Sequence, residues 1–306
     1  MTAKMLTTLG LITIFLAAAF ANPAIQISDD PSYDEQIAKW RAERLKEING
    51  EDGWTTLVGL FWLKNGKNTI GSSLSNDIVL PKERAPKFAG VLWLDNGIAQ
   101  LEASRGSGIT RDGKPVSKLV LDSDADGKPT VLRLGSLTFF VIKRGERLGL
   151  RVKDKNNAAR SHFAGLDYYR VDLKWRIQAK YEPYDPVKFV SIANVLGMID
   201  EMASPGALIF EANGKTLRLD PVLEKGSKQL FIIFADQTNG KDTYGAGRYL
   251  YADPPGADGK VIVDFNRAYN PPCAFTKFAT CPLPPKQNRL PIRVEAGEKK
   301  YIGAEH

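Results

Sequence analysis

A mainly β protein with one N-terminal amphipathic helix is predicted by three features of the 306-residue sequence. Between Trp54 and Val152 the apolar residues come in short runs, TLVGLFWL, NDIVLP, GVLWLD, IAQLEA, KLVLD and LTFFVIKRG, separated by Gly, Asn, Asp and Pro. Such spacing marks strands and turns of an antiparallel sandwich or barrel. Farther on, Trp175, Ile177 and Ala179 alternate with Arg176, Gln178 and Lys180, and Asn213-Gly214 splits ALIFEA from KTLRLD as a hairpin turn does. In DEQIAKWRAERLKEI, by contrast, Ile37, Trp40, Leu45 and Ile48 recur close to the helical period.

Each element can be justified in chain order. Residues 1–21 carry Lys4, an apolar run from Leu9 to Phe20, and Ala19 and Ala21 in an A-x-A arrangement, which reads as a signal peptide cleaved after Ala21. The apolar run is short for a membrane span; an uncleaved anchor is the alternative. The mature chain is expected to be secreted or periplasmic, with no stable membrane insertion. Residues 22–53 hold a leader and the helix, in which Ser32 and Glu35 form a capping box and Gly50 a stop. The helix is expected to pack across the first sheet with its Arg and Lys side chains outward. Residues 54–160 form the first β domain and residues 161–306 a second β-rich domain, an antiparallel barrel or curved sheet closed by the Pro-rich stretch beyond Asn270.

Composition excludes several classes. With 43% hydrophobic and 25% charged residues the chain is neither disordered nor fibrous, and 2 Cys cannot frame a disulfide miniprotein. The formal net charge of +7 is spread along the chain among acids, without a basic strip, so no nucleic-acid partner is expected. Cys273 and Cys281 lie in NPPCAFTKFATCPLPP, and in an oxidising compartment a local disulfide is the default reading. Free thiols and a metal site are the alternatives.

The succession FADQTNGKDTYGAGRYLY, VDFNRAYNPPCAFTKFATCPLPPKQNRLP and VEAGEKKY, preceded by GWTTLVGLFWLKNGKN and FFVIKRGERLGLRVKD, closely resembles the bacterial and archaeal family DUF1684 over roughly Glu35 to Tyr301. This resemblance implies membership and no particular reaction. Within the first domain, TIGSSLSNDIVLP, RDGKPVSKLVL and LRLGSLTFFVI resemble the strand order of forkhead-associated (FHA) domains, β-sandwiches that bind phosphothreonine peptides. The likeness implies the architecture alone. Ser72 follows Gly71 where that family has Arg, and APKFAG lacks its Ser and His, so the guanidinium fork for phosphate is missing.

Familiar chemistry is absent from the sequence. Asp122, Asp124 and Asp126 with Gly127 match the front of a calcium loop, but Arg133 stands where a closing Glu is needed, so an acidic turn is favoured over weak calcium binding. Only His162 and His306 supply imidazoles, and no nucleophile elbow, zinc set, phosphate loop or dinucleotide fingerprint appears, so neither a metal nor a cofactor is expected. What remains is a polar, aromatic set: Tyr244, Arg248, Tyr249, Asp264, Asn266, Arg267, Tyr269 and Asn270 as ligand-binding candidates, with Asp264 and Glu298 as candidate proton-transfer groups. Asp236, Asn288 and Glu295 could complete the cluster, with Arg248 or Arg267 pairing to Asp264, Glu295 or Glu298. One reading is a site for a small polar or carbohydrate-like ligand. A second is a hydrolase or lyase that works without His; a third is a structural or partner-docking role, in which the pairs pin an irregular loop.

Overall fold

The computed structural model describes residues 31–303, so the signal-peptide reading of residues 1–21 lies outside the described residues. Helix α1 (Pro31–Asn49) has Asp34 in its first turn and Lys46 in its last, each matched to the local end of the helix dipole. It begins at Pro31, which places Ser32 inside the first turn. After it, the Gly50 N–H closes on the Lys46 carbonyl at 2.8 Å, and a Cβ on Gly50 would lie 2.4 Å from that oxygen, so only glycine fits there.

Residues 57–154 make a β-sandwich. One sheet of six strands runs, in spatial order, Leu57–Trp62, Arg147–Asp154, Leu137–Arg144, Leu132–Leu134, Thr110–Arg111 and Lys114–Pro115. The other, of five, runs Ile78–Val79, Gly66–Gly71, Gly90–Asp95, Ile98–Ala103 and Lys118–Leu121. Ile70, Leu92, Leu101, Phe139, Leu150 and Val152 fill the space between them. In Gly90–Asp95 the alternation is clean: Leu92 and Leu94 are buried while Trp93 and Asp95 face out. In Arg147–Asp154 it fails, because Gly149 and Arg151, on the face opposite Leu150 and Val152, are buried too. Both faces of that strand are therefore covered.

The cover comes from the second unit. Its four-stranded sheet runs Lys215–Leu219, Ile199–Ala212, Arg176–Ala193 and Lys260–Asp264, and its three-stranded sheet Val222–Leu223, Leu230–Phe234 and Arg248–Ala252. One sheet of the protein curls into a half-barrel. Trp175, Phe210, Phe234, Leu250, Val263 and Phe265 form its core. Asn213 and Gly214 take φ of 50° and 71°, the left-handed pair that a tight two-residue hairpin requires. Beyond Asp264 the chain proceeds through 3₁₀ turns and loops, burying Leu290, Ile292, Val294 and Ala296 against the same core. The Pro-rich stretch thus closes the unit.

Helix α1 packs against this second unit. Tyr33 donates to Asp264 at 2.8 Å, Arg44 pairs with Glu298 at 3.0 Å, and Ile48 clusters with Ala274 and Phe275. Its arginines do not all point outward: Arg44 is buried, whereas Leu45, expected on the inner stripe, is exposed. The inward stripe is Tyr33, Ile37, Arg44 and Ile48. Electrostatic pairing, added to apolar spacing, decides which side of the helix turns in.

Candidate functional site

The predicted residues do not gather around one hollow; they divide among three places. The first is solid interior. Arg248 is fully buried and pairs with Asp236 at 2.7 Å, while its guanidinium also donates to the carbonyl oxygens of Val294, at 2.8 Å, and Ala296. Glu298 accepts from Arg44 Nε at 3.0 Å and from the Asn270 N–H at 2.8 Å, and Asn270 Nδ2 donates to the Lys299 carbonyl at 2.7 Å. Glu298 therefore pairs with Arg44, not with Arg248 or Arg267. Asn288 brackets Asp220 through both its N–H, at 2.7 Å, and its C=O, at 3.0 Å. Segments without a sheet ladder need such partners for their backbone groups.

The second place is a polar groove of about 480 Å³ bordered by Gln36, Arg176, Gln178, Asp258, Asp264 and Arg267. Asp264 accepts from Tyr33 Oη at 2.8 Å and from the Asn266 N–H at 3.1 Å, with Arg267 Nε at 3.5 Å. Burial and this carboxylate push the Tyr33 phenol up, so it stays a neutral donor. Asn266 is itself buried and ties Tyr33 to the Asp172 backbone. Asp264 and Asn266 thus hold helix α1 onto the sheet, and Arg267 alone is substantially open. Glu295 is on the surface, paired with Arg293.

The third place is an aromatic cavity of about 390 Å³ between the covered face of the sandwich and the second unit. Tyr249 and Tyr269, both predicted, line it together with Phe231 and Tyr251. Tyr251 stacks on Phe231, with centroids 4.9 Å apart, and on Tyr269 at 6.3 Å, while Tyr249 meets Phe231 and Tyr269 edge-on. Tyr249 Oη donates to the Pro282 carbonyl at 2.7 Å and Tyr251 Oη to Glu224 at 2.6 Å. Burial raises the phenols of Tyr249, Tyr251 and Tyr269, which keeps all three protonated. Tyr244 stands outside, its hydroxyl on the Cys273 carbonyl at 3.2 Å.

Cys281 also lines this cavity. In this structure Cys273 and Cys281 are free, buried thiols in place of the expected disulfide, and Cys281 Sγ accepts the Cys273 N–H at 3.0 Å. This contact and the Tyr244 bond hold the loop without a covalent link.

The remaining wall was missed from sequence. Arg144 and Arg151 come from the sandwich, Trp54 from the 3₁₀ turn that precedes it, Glu47 from helix α1, and Asn194, Asp200 and Met202 from the long hairpin of the second unit. Arg144 is held by Asp124, at 2.9 Å, and by Thr280 Oγ1, at 3.1 Å. Asp124 belongs to the acidic turn, whose other carboxylates diverge to Thr130 and Lys225. Among the described residues no group of three or more His, Cys, Asp or Glu side chains is placed to hold a metal ion. His162 is exposed and lies away from the cavity.

Comparison with known proteins places the second unit. A family model described as Protein of unknown function (DUF1684) matches residues 161–299. The solution structure of an uncharacterized protein from Haloarcula marismortui is 31% identical, covering 46% of this chain and 78% of that one, with a TM-score of 0.39. A structure from a study of phosphothreonine-dependent FHA domain interactions is 21% identical over 32% of this chain and 96% of that one, with a TM-score of 0.23. No curated protein matches the chain. The DUF1684 match is thus carried by the second unit, residues 161–299 of the chain.

Proposed function

We propose that this is an exported protein that binds a small, ring-bearing polar molecule of carbohydrate-like chemistry in the aromatic cavity. The observation that carries the reading is the stacked Phe231, Tyr251 and Tyr269 beside hydrogen-bonding groups from Asn194, Glu224 and Asp200. An aromatic lining gives a ring apolar contact, and carboxylates and amides take its hydroxyls. Apolar walls with a few convergent polar groups are how small-ligand sites are built. Export is supported by the leader at residues 1–21, and no helix among the described residues is long and apolar enough to cross a membrane.

Trp54, one of five tryptophans, lies in the cavity wall. Titration of tryptophan emission with a panel of neutral methyl glycosides is expected to give saturable binding that Tyr251→Ala weakens about tenfold or more. A flat response across the panel, or equal binding by the folded variant, would overturn the reading. Export also brings Cys273 and Cys281 into oxidising surroundings, where neighbouring thiols exchange with a disulfide donor, losing two protons and two electrons to it as their own bond forms. Intact mass after alkylation of the unreduced, denatured protein checks this step.

A further inference from the structure

We infer that the Arg151 end of the cavity is an anion subsite, so that the bound molecule carries an oxyanion: a carboxylate, or a phosphate or sulfate ester. The inference rests on the aromatic cavity being a ligand site and names the charge of its ligand. Arg151 is only 5% exposed and lines the cavity, yet its guanidinium has no hydrogen bond or ion pair with any described residue, and its Nε is buried without a partner. The Trp54 ring lies 5.4 Å from the guanidinium carbon. A buried charge is ordinarily paired, because removal from water without a partner is costly.

Nothing nearby is free to serve. Arg144, the neighbouring cation, already takes both oxygens of Asp124. Glu47 holds Arg44, and Glu224 accepts from Tyr251. Asp200, the remaining acid of the cavity, stands more than 4 Å from Arg151, since no ion pair forms. Burial, with Arg144 adding repulsion, depresses the Arg151 guanidinium to about 10. An oxyanion there would oppose both effects.

The position is also fixed in advance. Arg151 sits on a central strand paired with Leu60 on one side and Phe140 on the other, so its backbone is held by ladders on both flanks. The planar fork of a guanidinium matches the two oxygens of a carboxylate, phosphate or sulfate. Thr280, beside Arg144 in the same wall, offers a hydroxyl. The tyrosine wall then receives the ring that carries the oxyanion.

The test compares wild type with Arg151→Met, which keeps the apolar stem, in acetate, phosphate, sulfate and chloride at matched ionic strength, followed by tryptophan emission and thermal midpoint. Paired probes of one ring, methyl glucoside against glucuronate and against glucose 6-phosphate, separate the carboxylate source from the ester source. The expected result is that one anionic probe binds wild type about tenfold or more tighter than its neutral counterpart, and that this advantage vanishes in Arg151→Met. Arg151→Lys, which keeps charge without the fork, is expected to lose most of it and serves if the Met variant does not fold. Equal response of wild type and variant, or no oxyanion response at all, overturns the subsite. Neutral glycosides binding without charge preference would sink this inference and spare the ligand reading; an oxyanion response without ring binding would do the reverse.

Discussion

The interior beneath the C-terminal segment and the cavity beside it both bury arginine, and they treat it differently. Arg248 and Arg44 each meet a buried carboxylate, Asp236 and Glu298, and each also donates to backbone carbonyls that no sheet reaches. Arg151 meets neither. In the first arrangement each guanidinium has its carboxylate within the protein, although Arg248 Nε makes no hydrogen bond of its own; in the second the whole guanidinium waits for a guest. An enclosed charge becomes informative when its partners are counted, because desolvation is the same problem in both places and only one of them is solved.

The largest effect should come from breaking a finished pair. Arg248→Met leaves Asp236 buried without its cation and is expected to cost about 3–5 kcal/mol, read from the denaturant midpoint. An effect below about 1 kcal/mol would mean that the pair is not the pin described. Arg151→Met should move stability the other way, gaining about 1–3 kcal/mol without ligand, since it removes unsatisfied donors. A loss of similar size would show that Arg151 has a partner of its own and would erase the contrast.

How much of this could be read from the sequence differs by element. Strand alternation in KVIVDFN places Val261, Val263 and Phe265 inward, as found, and the Asn213-Gly214 turn is where it was expected. The polar set was also recognisable as a group, but residue types do not say whether Arg248 faces a hollow or a carboxylate; that depends on Asp236 and the 294–296 backbone arriving from elsewhere. Arg44 was legible in principle, being seven residues from Ile37 and four from Ile48 on one stripe. Its charge alone argues for a place in water, and only the Glu298 partner reverses that. Arg151 could be placed on the face opposite Leu150 and Val152, yet nothing local says that this face is covered by a second unit.

Two smaller effects sharpen the comparison. If oxidation joins Cys273 to Cys281, Cys273→Ser should cost about 2–3 kcal/mol under oxidising conditions and much less under reducing ones. Equal loss in both would leave packing as the whole contribution of the thiols. Glu47→Gln, at the half-exposed end of the Arg44 contacts, should change stability by less than about 0.5 kcal/mol, because Glu298 keeps Arg44 paired. A larger loss would place the Arg44 anchor at the cavity rim, outside the interior.

Native mass spectrometry of the purified wild-type protein and of Arg151→Met, with release and identification of any bound molecule, is the sharpest test of an anionic guest at Arg151. A ring-bearing, negatively charged molecule held by wild type and absent from the variant is the predicted result. An empty wild-type cavity, or a guest retained equally by both proteins, would contradict it.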